Sequence, residues 1–146
     1  MDETLLRSLL KLCAKSRSLE TGGILVGFYS SDSKLAVVTN ISTAPRDSRR
    51  GSFSFIRGVQ GLQEWLMRLW QNPSRQYYLG EWHFHPASSA TASGEDIAQL
   101  HKIACSDQYH CPEPILLILG GNPKGHWQIK AYISIKGKKF LELLPR

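Results

Sequence analysis

At 146 residues, 42% hydrophobic and 21% charged, the chain has the length and composition of one globular domain, spanning 1–146, with a core of its own. Its formal charge of +6 comes from dispersed basic residues, with a Lys138-Lys139 pair near the end, so a solvated basic surface explains the charge better than a nucleic-acid groove. Three irregularly placed cysteines form no disulfide framework and point to a reducing cytoplasm, and no apolar run is long enough to cross a membrane.

Met1 to Lys15 carries Leu5, Leu6, Leu9, Leu10, Leu12 and Cys13 at helical repeats. Arg7 and Lys11 interrupt the apolar run, which makes this an amphipathic helix lying on a sheet and not a secretory signal. Glu20 follows, then Thr21-Gly22-Gly23, where small residues allow close backbone approach. Ile24 to Tyr29 and Leu35 to Ile41, joined by the polar run Ser30 to Lys34, read as a hairpin. Pro45 to Gly51 reads as a basic loop, and Ser52 to Phe55 alternates like a strand. From Val59, apolar residues recur at Leu62, Trp65, Leu66, Leu69 and Trp70, a helical stripe ended by Asn72-Pro73 whose tryptophans are assigned to the core.

Tyr77 to His85 is an aromatic-rich strand that Pro86 ends. Successive strand side chains alternate faces, so His83 and His85 point the same way. That is half of a metal site, although a plain strand face has the same pattern. Ala87 to Ala92 reads as a loop, and Ile97, Leu100 and Ala104 place a helix start near Ser93. Ser93 and Asp96 share the first helical turn and can both face the strand end; a capping box accounts for the same two residues. Asp96 would complete a set of three ligands with a position left open. Glu81 shares the histidine face and Glu95 adjoins Asp96, so spacing alone offers either as base or ligand, and Glu81 also as a hydrogen-bond partner of a ligand histidine.

His101, Cys105, His110 and Cys111 form a loose cluster that matches no strong zinc spacing. Ile115 to Leu119 reads as a buried strand, Gly120 to Gly125 as a turn, and Trp127 to Ile135 as a half-exposed strand. These elements predict an α+β (mixed α/β) fold, a curved, mainly antiparallel sheet flanked by helices.

His83-Phe84-His85-Pro86, with seven residues between His85 and Ser93 and two more before Asp96, resembles the signature of the JAMM metalloproteases of the JAB/MPN family. Glu20, just before a glycine-containing strand, is similar to that family's upstream glutamate. Phe84 departs from the pattern, where a small or hydroxyl residue is common; it points away from the histidines and is expected in the core. The resemblance implies a cytidine-deaminase-like arrangement in which His83, His85 and Asp96 bind Zn2+, Glu20 is the acid/base and Ser93 stabilises the oxyanion. It implies a metallo-isopeptidase or peptidase that hydrolyses the amide bond after the C-terminus of a ubiquitin-like or otherwise conjugated protein. The compact chain is most similar to prokaryotic JAB deconjugases, including those of antiphage conjugation systems, with activating and conjugating enzymes as partners. By the same analogy the loop from Pro45 to Gly51 is a candidate substrate contact, though an ordinary solvated loop accounts for it better. Two further readings stay open, a noncatalytic JAB/MPN scaffold and a nucleic-acid-associated JAB protein.

Overall fold

The computed structural model describes residues 1–135 and 139–144; Lys138 of the lysine pair lies outside them. Helix α1 (Glu3–Ser16) begins at Asp2, whose side chain accepts the Leu5 N–H at 2.8 Å and satisfies a donor that a helix start leaves unpaired. The hairpin follows as β1 (Thr21–Tyr29) and β2 (Ala36–Ile41). After it come the short pair β3 (Arg49–Arg50) and β4 (Phe55–Ile56), helix α2 (Leu62–Gln71), β5 (Tyr77–Pro86) and α3 (Gly94–Cys105). The described chain closes with β6 (Ile115–Gly121), β7 (Trp127–Ile135) and β8 (Lys139–Leu143).

The main sheet has the order β2-β1-β5-β6-β7-β8. Every neighbouring pair is antiparallel except β5 and β6, which run parallel, so the expected mainly antiparallel mixed sheet is present. A parallel pair needs a crossover, and α3 supplies it, bringing its N-terminus close after the C-terminal end of β5. On one face Leu9 and Cys13 of α1 pack with Leu25, Leu79, Trp82, Phe84, Ile115 and Leu119. On the other, Leu100 of α3 packs with Ala90, Leu116, Ile118 and Tyr132. Alternation along β5 thus sends Trp82 and Phe84 to the α1 layer and leaves Glu81, His83 and His85 on the α3 side.

A bulge in β5 sets that phase. Leu25 of β1 pairs with Gly80 and Val26 with Tyr78, so Leu79 is the extra residue and faces the α1 layer. Gly80 has φ +147°, and a Cβ there would collide with the Ile115 carbonyl of β6. Glycine is required at this point by both the backbone angle and the close approach.

Two expectations are corrected, and the weak zinc spacing of a third group is matched by its dispersal. Ser52 to Phe55 is not a continuous strand: β3 and β4 form a two-residue ladder, Arg49 with Ile56 and Arg50 with Phe55, whose tip leaves Phe53 92% exposed. Helix α2 buries no residue, and Trp70 is 51% exposed, because the helix lies against the start of β5 with no layer outside it; its apolar side lines an open groove with Tyr77 and Tyr78. His101, Cys105, His110 and Cys111 do not assemble. Cys105 and His101 are exposed and 3.8 Å apart on α3, whereas Cys111 is buried beside the Leu79 carbonyl. Strand β8 pairs with β7, from Ala131–Leu143 to Ile135–Lys139, and was not anticipated from the periodicity. No helix among the described residues is long and apolar enough to cross a membrane.

Candidate metal centre

His83, His85 and Asp96 are buried together where β5 ends and α3 begins, with one ligand-type atom from each within 4.8 Å of the others. His83 Nδ1 lies 2.7 Å from Asp96 Oδ1, and His85 Nε2 lies 3.5 Å from Oδ2. Asp96 is aimed by its helix start. Ser93 caps α3 by accepting the Asp96 N–H at 3.1 Å, while its own N–H and hydroxyl donate to Asp96 Oδ2 at 2.8 and 2.7 Å. The capping box and the site therefore use the same two side chains: the cap turns the carboxylate toward the strand. Phe84 is buried in the α1 layer, as its alternation requires.

Two imidazoles and a carboxylate, close and shielded, are a donor set that suits a divalent transition metal. Burial alone would raise the Asp96 carboxyl, but contact with His83 and His85 holds it well below the ordinary range, so the carboxylate is ionised and ready to ligate. Burial alone would lower the pKa of His83; its contacts with Asp96 and Glu81 outweigh that and raise it to about 9.

These residues line a cleft of about 430 Å³ whose walls include Glu20, Phe53, Phe55, Arg57, Ser93 and Glu95. Glu20 sits just before β1, anchored by its N–H to the Gly51 carbonyl at 2.8 Å and by Arg50 Nε to its own carbonyl at 3.1 Å. Burial pushes its carboxyl above the ordinary range; Asp96 adds to the rise, and His85 and His83 oppose it. A carboxyl so placed is suited to exchange a proton nearer neutrality. Glu95 is exposed on the rim. Glu81 is 3% exposed and lies behind His83, with Oε2 3.5 Å from Nε2.

The remaining neighbours come from the segment around Phe55, whose alternation gives no sign of a place in the site. Phe55 packs edge-on against the His83 ring at 5.4 Å between centroids and 81° between planes. Arg57, two residues on, reaches Glu81. Neither alternation nor spacing announces these contacts, because they join a loop to a strand more than twenty residues away.

Residues 2–130 match a family model described as prokaryotic homologs of the JAB domain. A CD-NTase/cGAS isopeptidase of Enterobacter hormaechei subsp. hoffmannii is 44% identical over 125 residues, 86% of this chain and 68% of that protein. A probable metalloprotease of Sinorhizobium fredii is 31% identical over 134 residues, 90% of this chain and 80% of the relative. Among solved structures, the solution structure of a protein from Desulfitobacterium hafniense superposes with a TM-score of 0.68, covering 97% of this chain and 86% of that one at 19% identity, a likeness of fold alone.

Proposed function

From a chain that belongs to the prokaryotic JAB-domain family, we propose a zinc-dependent isopeptidase or peptidase that cuts the amide bond after the C-terminus of a ubiquitin-like or otherwise conjugated protein. The observation that carries this reading is the buried cluster of His83, His85 and Asp96 opening into one cleft with Glu20. In it, His83, His85 and Asp96 hold the metal. Bound there, zinc supplies Lewis acidity, polarising a carbonyl and acidifying water.

The chain's own residues do the rest. Glu20, half-buried and anchored at both backbone ends, takes a proton from the attacking water and returns it to the departing amine. Ser93 has two duties: its hydroxyl orients Asp96 in the resting site, and by turning into the cleft it donates to the oxyanion that develops on the scissile carbonyl. Exposed Phe53 and Ile56 at the cleft mouth present apolar surface to the substrate's tail. The names of the Enterobacter and Sinorhizobium relatives, an isopeptidase and a metalloprotease, support the reaction class. The reading extends to a single catalytic domain over residues 1–146, to the cytoplasm, and to bacterial antiphage defence beside cognate activating and conjugating enzymes.

The test is cleavage of a ubiquitin-like protein joined to a lysine peptide by the zinc-loaded chain. The parent releases the peptide, and Glu20→Gln, still binding zinc, loses about 100-fold or more in rate. Full activity in that variant would remove Glu20 from the role of base. A protein that holds no zinc and cleaves neither linear nor branched conjugates would favour the scaffold reading.

A further inference from the structure

Behind the metal cluster lies a buried ion pair that the reaction does not call for. Arg57 and Glu81 side chains are 7% and 3% exposed, and burying two charges gives little net stability compared with apolar packing. Both Arg57 Nε and Nη2 lie 2.8 Å from the same oxygen, Oε1. The other oxygen, Oε2, is left facing His83 Nε2 at 3.5 Å. Arg57 is itself held, with Nη1 donating to the Gly58 carbonyl at 2.7 Å and Nη2 to the Tyr109 hydroxyl at 3.2 Å. The His83 ring is therefore flanked on three sides: Asp96 hydrogen-bonded at Nδ1, the Glu81 carboxylate near Nε2 and Phe55 against the ring.

We propose that Glu81 and Arg57 are positioning residues for His83: Glu81 keeps the proton on Nε2, so that the proton given up when a metal binds is the one Nδ1 shares with Asp96, and Arg57 holds Glu81 in place. The inference rests on reading His83 as a metal ligand and goes beyond it by assigning the ligating nitrogen and the residues that select it. A metal-binding imidazole must present one nitrogen without a proton, and a carboxylate at the other nitrogen fixes both tautomer and ring orientation. A lone buried carboxylate would be free to turn. Arg57 prevents this by occupying Oε1, and because the pair is neutral overall it orients the ring without adding a net charge beside the cation. The segment that forms one wall of the cleft thus also braces a ligand from behind.

Two measurements on the full chain decide the matter. The first is nitrogen-15 NMR of the histidine rings in the zinc-loaded parent. We expect the His83 ring protonated at Nε2; a ring protonated at Nδ1 overturns the proposal. The second is zinc affinity by competition with a chromogenic chelator, with circular dichroism of the metal-free variants to establish that they fold. Glu81→Gln is expected to lose about 10- to 100-fold in affinity, the scale on which such outer partners act. Arg57→Lys, which keeps the charge but not the fork, is expected to lose less, and in the Glu81→Gln background to add no further loss. Parent-like affinity in Glu81→Gln would overturn the proposal, and should that variant not fold, the ring tautomer and Arg57→Lys still decide. His85→Ala separates the two readings. If it keeps zinc, the metal site itself is wrong; if it loses zinc while Glu81→Gln does not, only the positioning role falls.

Discussion

Gly22→Ala is the substitution that most directly loads the contact between the hairpin and the cluster of His83, His85 and Asp96. Gly22 of β1 pairs with His83 of β5, and a Cβ added to it would stand 2.5 Å from Phe55 Cε1 and 2.9 Å from His83 Cδ2, and would also collide with the Trp82 carbonyl. Phe55 can swing away, but the carbonyl is backbone in the middle of a ladder, so β1 and β5 must part or the His83 ring must turn. Overpacking of this kind costs about 1–3 kcal/mol. For a domain of this size, each kcal/mol lowers Tm by about 2–4 °C, so the metal-free variant should melt about 2–12 °C below the parent. Displacing a ligand ring should also weaken zinc binding about tenfold or more. Gly94→Ala is the control: a Cβ there meets nothing within 4 Å, and its stability should stay within about 0.5 kcal/mol of the parent's. Thermal denaturation by circular dichroism and chelator competition read both quantities. A Gly22→Ala protein with the parent's Tm and zinc affinity would refute the packing account of the site.

Other outcomes follow from the same contacts. Ser93→Ala removes the α3 cap and one donor to Asp96, and should cost about 0.5–2 kcal/mol of stability in chemical denaturation, together with weaker zinc binding. Burial pushes the Cys13 thiol up to about 12 and the Cys111 thiol to about 11, while Cys105 is exposed. A thiol-reactive chromophore at neutral pH should therefore titrate one cysteine quickly in the native protein and three after denaturation; three fast equivalents in the native state would contradict the described packing.

Much of the site was legible because it rests on short-range regularities. From Glu81 to His85 the strand keeps an unbroken two-residue alternation, so the shared face of the histidines and the opposite face of Phe84 could be read directly. Ser93 and Asp96 were legible as a helix start, and the structure adds that the cap itself points the carboxylate at His83. What could not be read depends on partners distant in the chain. The Leu79 bulge that sets the phase of β5 appears only in its register with β1. Arg57 and Phe55 reach the site from a loop whose sequence alternates like a strand but whose ladder is two residues long. For α2, periodicity identified the apolar side but not whether anything covers it, and Trp70 lies exposed where a core position was expected.

The central claim is that His83, His85 and Asp96 form a metal site. Zinc content by elemental analysis, after mild dialysis, of the parent and of His85→Ala tests it most directly. The account predicts near-stoichiometric zinc in the parent and its loss in the variant. Zinc absent from the parent even after resupply, or retained equally by both proteins, would contradict it.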